Sequence, residues 1–305
     1  MNRLLRVVTL LIKFLFFTIW GAIRACIPRW CSKSRPDFSA DICLVTGAAQ
    51  GLGRQLAIKF AESGSTMVLW DIDQQKLKAV AEEITEMGNE VFTDVVDCGN
   101  RHQVYRAAKK IQKDIGDVAV LVNNAGRLSG QKIWESSDKA IEKTFQVNTL
   151  AHFWTVKAFL PWMMENDYGY IVQICSVCAF VGGAGLTDYC ASKSAAVMFA
   201  ETLRTELRAA NKTGINVTCV CPSHIGDTRM FAGVKTRLQW LFRSLRAEDV
   251  ADRTLRAVQD GQFLVAIPKL FYVFIFLKGF LPTRAVDCIQ RIVGADDAID
   301  SSHSQ

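Results

Sequence analysis

Between Ile42 and Cys221 short apolar runs alternate with longer stretches of helical periodicity, and that alternation leaves few folds open. Ile42–Thr46, Thr66–Trp70, Val118–Val122, Tyr170–Cys175 and Ile215–Cys221 read as strands, with Glu90–Val95 a weaker one. Leu52, Leu56 and Phe60 recur along one helix face, and Gln74–Met87 and Arg101–Ile115 are rich in helix formers. Asp138–Glu165 reads as one long helical region, with Pro161 an interruption near its end. Asp188–Ala210 carries Ala196, Phe199, Leu203 and Leu207 on one stripe. Strands separated by helices need crossovers, and right-handed crossovers cover both faces of a parallel sheet. The expected class is therefore α/β, a doubly wound parallel sheet with helices on both faces.

No repeat or linker breaks residues 40–268, so one domain is expected there. The division expected is 1–36, an N-terminal membrane anchor with a basic flank; 37–268, the catalytic domain; and 269–305, an apolar C-terminal segment with a polar tail. Val7–Ile23 holds a single charge, Lys13, and is long enough for a spanning helix. Arg24, Arg29, Lys33 and Arg35 outnumber Arg3 and Arg6, so the positive-inside rule faces the main domain to the cytosol. A helix lying in one leaflet and a cleaved signal peptide are the alternatives, though Ala22-Ile23-Arg24-Ala25 is a poor cleavage site. Leu270–Leu281 is too short to span and apolar on every side, so it belongs in a core, on a membrane or over a substrate entrance.

Composition removes other classes. Half the residues are hydrophobic and only six are Pro, which excludes disorder. The net charge of +6 is spread along the chain, so no nucleic-acid partner is expected. Ten cysteines in 305 residues are too sparse for a disulfide scaffold, and neither Cys175-x-x-Cys178 nor Cys219-x-Cys221 has the His partners of a metal site. Reduced thiols and no bound metal are expected.

The chemistry-bearing motifs follow the strands. Thr46-Gly47-Ala48-Ala49-Gln50-Gly51-Leu52-Gly53 joins the first strand to the first helix. Glycines there let backbone approach a pyrophosphate, and the helix N-terminus favours its charge, which makes the sheet Rossmann-like. Gly47, Gln50, Gly51, Leu52 and Gly53 are the expected contacts. Asp71 ends the second strand, where a carboxylate accepts ribose hydroxyls and repels a 2′-phosphate. That favours NAD over NADP, with Arg54 a counter-signal. Tyr189 and Lys193 are spaced i, i+4 and share a helix face. A phenol beside an ammonium can serve as acid or base for an alcohol–carbonyl interconversion.

Thr46–Gly53, Asn123-Asn124-Ala125-Gly126, Asn148, Ser176 and Tyr189-x-x-x-Lys193 together resemble the short-chain dehydrogenase/reductase family over about residues 38–268. Val68–Ile72, Lys157–Pro161, Asp188–Lys193 and the Phe276–Pro282 segment resemble its membrane-bound branch of retinol dehydrogenases and lipid-droplet 17-beta-hydroxysteroid dehydrogenases. The resemblance implies that Tyr189 is the general base, that Ser176 holds the substrate oxygen beside Tyr189, and that Lys193 lowers the Tyr189 pKa and binds the nicotinamide ribose. It implies that Asn148 supports a proton-relay water. Asp97, Cys98, Asn123, Ala125, Gly126, Pro222 and Thr228 complete the cofactor contacts it implies. Thr228 follows an apparent insertion at Gly226, and His224 lies in the same loop.

The resemblance thus implies an NAD-dependent alcohol dehydrogenase, with all-trans-retinol the leading substrate and a 17-beta-hydroxysteroid or other lipid alcohol the alternative. It implies a homodimer, and an endoplasmic reticulum membrane or lipid-droplet location. A non-catalytic membrane interaction protein is the reading of another class, against which the intact Asn–Ser–Tyr–Lys set argues.

Overall fold

A computed structural model describes residues 36–228 and 244–297, together with Lys13. The chain divides into two units, Met1–Pro36 and Asp37–Gln305. The expected N-terminal anchor falls outside the described residues. Among those residues no helix is long and apolar enough to cross a membrane.

The second unit holds a seven-stranded parallel sheet. Its strands are β1 (Ile42–Thr46), β2 (Thr66–Asp71), β3 (Val91–Val95), β4 (Val118–Asn123), β5 (Gly169–Ile174), β6 (Ile215–Pro222) and β7 (Leu264–Ile267). They lie in the order β3-β2-β1-β4-β5-β6-β7. Sequence order reverses between β1 and β4, so the carboxyl ends of these two strands open a crevice there. β1, β4 and β5 are almost wholly buried, which explains their unbroken apolar runs.

Alternate side chains feed two cores. Helices α1 (Gly51–Glu62) and α2 (Gln74–Glu86) cover one face with Leu52, Leu56, Phe60, Leu77 and Ile84. Helix α3 (Arg101–Asp114) packs on the other face through Val104 and Ile111. The region expected as one helix is two, α4 (Asp138–Phe145) and α5 (Ala151–Asn166), joined by a π-helical turn over Gln146–Leu150. Pro161 does not interrupt α5. Pro161 and Lys157 are both exposed, so water can take the carbonyl that proline leaves unbonded. The long α6 (Thr187–Ala209) lies beside α5, burying Ala196, Leu203 and Leu207 and only partly Phe199.

Three helices follow. The spacing of Val250, Ala251, Thr254 and Ala257 makes α7 (Ala247–Gln259) amphipathic, and it packs with α1. Helix α8 (Leu270–Lys278) has no buried residue at all. Helix α9 (Thr283–Val293) buries only Val286.

Candidate active site

A cleft of about 840 Å³ opens at the carboxyl ends of the strands, inside the size range of small-molecule sites. Its floor begins with the turn between β1 and α1. Gly47 has φ +65°, and a Cβ there would come 2.9 Å from the Ala125 Cα. A Cβ on Gly53 would lie 1.9 Å from the Gly47 carbonyl oxygen. Only hydrogen at these two positions lets the turn close against α1 and against the segment after β4. The α1 N-terminus has no capping side chain and no acid in its first turn, so its N–H groups stay open to an anion.

The turn is bolted to that neighbouring segment. Buried Thr46 accepts the N–H groups of Asn124 (3.0 Å) and Ala125 (3.1 Å) on its Oγ1. Asn124 Nδ2 donates to the carbonyls of Thr46 (3.0 Å) and Gly47 (3.1 Å). Asn124, Ala125 and Gly126 line the cleft. Asn123, the residue expected there, does not: it is buried at the end of β4, where its Oδ1 accepts from Thr155 at 2.8 Å. Strand alternation is the reason, since neighbouring side chains point to opposite faces.

At the other end of the crevice Asp71 closes β2. Its Oδ2 accepts from Ala49 N–H (3.0 Å), and its Oδ1 from Ile72 (2.7 Å) and Asp73 (3.0 Å). Carboxylate oxygens keep lone pairs beyond these bonds and can accept further donors. Arg54, the counter-signal, forms a two-point ion pair with Glu83 of α2 at 2.9 and 2.5 Å. Its charge is therefore neutralised locally. Asp97 and Cys98 also line the cleft; Asp97 pairs with Lys143 at 2.5 Å and accepts Gly99 N–H at 2.9 Å. Burial pushes the Cys98 thiol up to about 12, so it is not a nucleophile.

Ser176, Tyr189 and Lys193 meet in the same cleft. Ser176 leaves β5 in extended conformation, accepts Cys178 N–H at 3.1 Å and hydrogen-bonds the Tyr189 phenol. Lys193 Nζ donates to the Ile174 carbonyl at 2.8 Å and sits 5.9 Å from the centre of the Tyr189 ring. Burial lowers the Lys193 pKa. The Tyr189 pKa is raised, first by burial and then by neighbouring Cys178, while the Ser176 hydrogen bond pulls it down. Desolvation of the phenolate is the largest of these effects.

Asn148 stands in the π turn, a placement frequent at functional sites. It does not line the cleft. It is fully buried and clamps the next segment: its Oδ1 accepts Arg127 N–H at 2.7 Å, and its Nδ2 donates to the Arg127 carbonyl at 2.8 Å and to Ser192 Oγ at 3.0 Å. Asp188 has a similar office. Its carboxylate accepts from Ser129 (2.9 Å), Thr144 (2.7 Å) and Tyr189 N–H (2.8 Å), tying α4 and the loop after β4 to the start of α6. Asn124 and Asp188 stand inside motifs the sequence offered and Arg127 directly after one, but none of the three was among the expected site residues. Pro222 and Thr228 line the cleft, and Thr228 Cγ2 would sit 3.2 Å from a Cβ on Gly51. His224 does not line it.

A family model described as short chain dehydrogenase matches residues 41–239. The short-chain dehydrogenase/reductase family 16C member 6 of Bos taurus is 40% identical over 302 residues, covering 99% of this chain and 94% of that protein. Retinol dehydrogenase 10 of Homo sapiens is 38% identical over 309 residues, covering 92% and 90%. A solved short chain dehydrogenase/reductase from Burkholderia phymatum, in complex with NAD, superposes with a TM-score of 0.72 at 26% identity, over 87% of this chain and 99% of that one. A metagenomic short-chain oxidoreductase in complex with NADP gives 0.64 at 27% identity, over 76% and 97%.

Proposed function

We propose, from the premise that this chain belongs to the short-chain dehydrogenase/reductase family, that it is a membrane-associated NAD-dependent dehydrogenase oxidising a hydrophobic alcohol, all-trans-retinol to all-trans-retinal. The observation that carries this reading is the meeting of Ser176, Tyr189 and Lys193 in one cleft with the glycine turn and Asp71. The retinol assignment draws on the likeness to retinol dehydrogenase 10.

The residues fit the cofactor. The open α1 N-terminus and the Gly47 and Gly51 backbone suit a pyrophosphate, and Asp71 suits an unphosphorylated adenine ribose. With Arg54 held by Glu83, its charge is not free to favour a 2′-phosphate beside Asp71. Bound NAD supplies the hydride acceptor and a positively charged ring. The protein does the rest. Ser176 Oγ orients the alcohol oxygen beside the Tyr189 phenol. Tyr189, once ionised, takes the hydroxyl proton as the carbinol hydrogen departs as hydride, leaving a carbonyl. Lys193 adds positive charge that favours the phenolate. Asn148 fixes the backbone on the other side of the cleft.

Membrane association is supported by the apolar Val7–Ile23 segment and by exposed α8. An endoplasmic reticulum or lipid-droplet surface with the catalytic domain toward the cytosol accords with the basic flank after Ile23. A homodimer through α5 and α6 accords with their exposed Phe153 and Met198.

The test is NADH formation by membranes carrying the full chain, given all-trans-retinol or a 17-beta-hydroxysteroid, with NAD or NADP. Retinol-dependent NADH formation that drops at least about 1000-fold in Tyr189→Phe is the expected result. Steroid turnover alone moves the substrate and keeps the mechanism. NADH binding without any turnover supports instead a non-catalytic scaffold.

A further inference from the structure

The cleft carries a charge imbalance. Its carboxylates are all engaged: Asp71 accepts three backbone N–H groups, Asp73 pairs with Lys76, Asp97 with Lys143, and Asp227 accepts Ala247 N–H on both oxygens. Two of its three cations are engaged as well, Lys143 by Asp97 and Lys193 by the Ile174 carbonyl. Among the described residues that line it, Arg127 is the cation whose side chain has no ion-pair or hydrogen-bond partner. Arg127 is exposed, while its backbone is gripped on both sides by the buried Asn148 amide. An arginine so anchored at its backbone and free at its guanidinium is a donor fork awaiting an acceptor.

Position identifies the acceptor. Arg127 lies two residues beyond Ala125, whose Cα packs 2.9 Å from where a Cβ on Gly47 would stand. An arginine side chain extends far enough to cover that separation. Arg127 thus lines the same cleft as the α1 N-terminus, where uncapped N–H groups already favour an anion.

We propose that Arg127 binds the pyrophosphate of the dinucleotide cofactor, closing over the glycine turn from the opposite wall of the cleft. This rests on the cofactor reading above. Backbone N–H groups solvate the phosphates from below, and Arg127 supplies the formal charge from above. A phosphate-bearing fragment gains from the residue, and a phosphate-free one does not.

The full chain and its Arg127→Leu and Arg127→Lys variants are titrated with NADH, ADP-ribose and adenosine, read by ligand fluorescence and calorimetry. Arg127→Leu is expected to weaken NADH and ADP-ribose about tenfold, the scale of one charge-assisted contact, and to leave adenosine unchanged. Its ADP-ribose affinity should also depend less on salt. Arg127→Lys, which keeps the charge, should recover part of the loss. Equal ADP-ribose affinity in wild type and Arg127→Leu overturns the proposal while wild-type NADH binding keeps the cofactor site. A loss that extends equally to adenosine overturns it too, since that would mark a distorted cleft. Failure of the wild type to bind NADH would instead overturn the cofactor reading.

Discussion

At the residue scale, burial sets the protonation states around the site. Tyr189 holds its proton more firmly than a free phenol because its anion would be desolvated. The free protein therefore presents an acid at neutral pH, suited to protonating a carbonyl oxygen. Alcohol oxidation needs the opposite state. Its kcat/KM should climb with pH from neutrality upward, by up to about tenfold per unit until Tyr189 ionises, while carbonyl reduction should not. A flat oxidation profile from pH 7 to 10 would contradict that role. His152 is a second case. It is buried on α5, neither ring nitrogen has a partner, and burial lowers its pKa to about 4. The folded state thus binds this proton less well than the unfolded chain, with its ordinary value of about 6.5. The stability His152 contributes is complete above that value and is lost as pH falls toward 4. The loss is about 3 kcal/mol over the whole window. His152→Phe should show a smaller drop in urea-unfolding stability between pH 7 and pH 5 than the wild type. The polarity of His152 was visible in the sequence, but its isolation was not, because it depends on what α6 and the sheet place around it.

At the element scale, the site is made by junctions rather than by single strands or helices. The motif Tyr189-x-x-x-Lys193 could be read because both residues share one helix face, a local property. Asp188 could not, because its three donors come from a loop, α4 and α6, and they meet only after the chain has crossed the sheet. Replacing Asp188 by Ala leaves Ser129, Thr144 and the Tyr189 N–H short of a buried acceptor. Each such group costs about 1–3 kcal/mol. Thermal melts should drop by several degrees, and turnover should fall further than NADH affinity, since α6 positions Tyr189 but not the glycine turn. Equal losses in both would point to general unfolding. The break at Gln146–Leu150 teaches the same lesson. Sequence reading placed the interruption at Pro161, the residue with a local signature. The structure places it at Asn148, whose side chain has long-range partners in Arg127 and Ser192.

At the scale of the whole molecule, the C-terminal segment is tied to the active-site loop. Lys278 Nζ donates to the Phe180 carbonyl at 2.6 Å, and Ala184 N–H to the Ala295 carbonyl at 2.8 Å. Helix α8 and the turn after it meanwhile expose large apolar residues, with Phe276 65% and Phe280 75% exposed. Lys269, Lys278 and Arg284 flank it, with no acidic residue between them. This combination suits an anionic lipid surface. The double change Phe276→Ser, Phe280→Ser should lower flotation of the protein with phosphatidylserine vesicles and raise the KM for retinol, with thermal stability unchanged because neither ring is buried. Unaltered flotation would show that α8 does not touch lipid.

Features that depend on near neighbours along the chain were legible before folding. Strand and helix periods dictated a parallel sheet with two covered faces. Gly47 and Gly53 marked a turn that no side chain fits. Asp71 and the i, i+4 pair of Tyr189 and Lys193 marked the chemistry. The spacing of Val250, Ala251, Thr254 and Ala257 is likewise a local, helical signal. Tertiary structure alone decided which neighbour faces the cleft, Asn124 rather than Asn123, because strand register sets that parity. It decided that Arg54 is spent on Glu83, that Arg127 is free, and that burial raises the Tyr189 pKa. Those are facts about pairing and burial, and both arise only when distant segments displace water from one another.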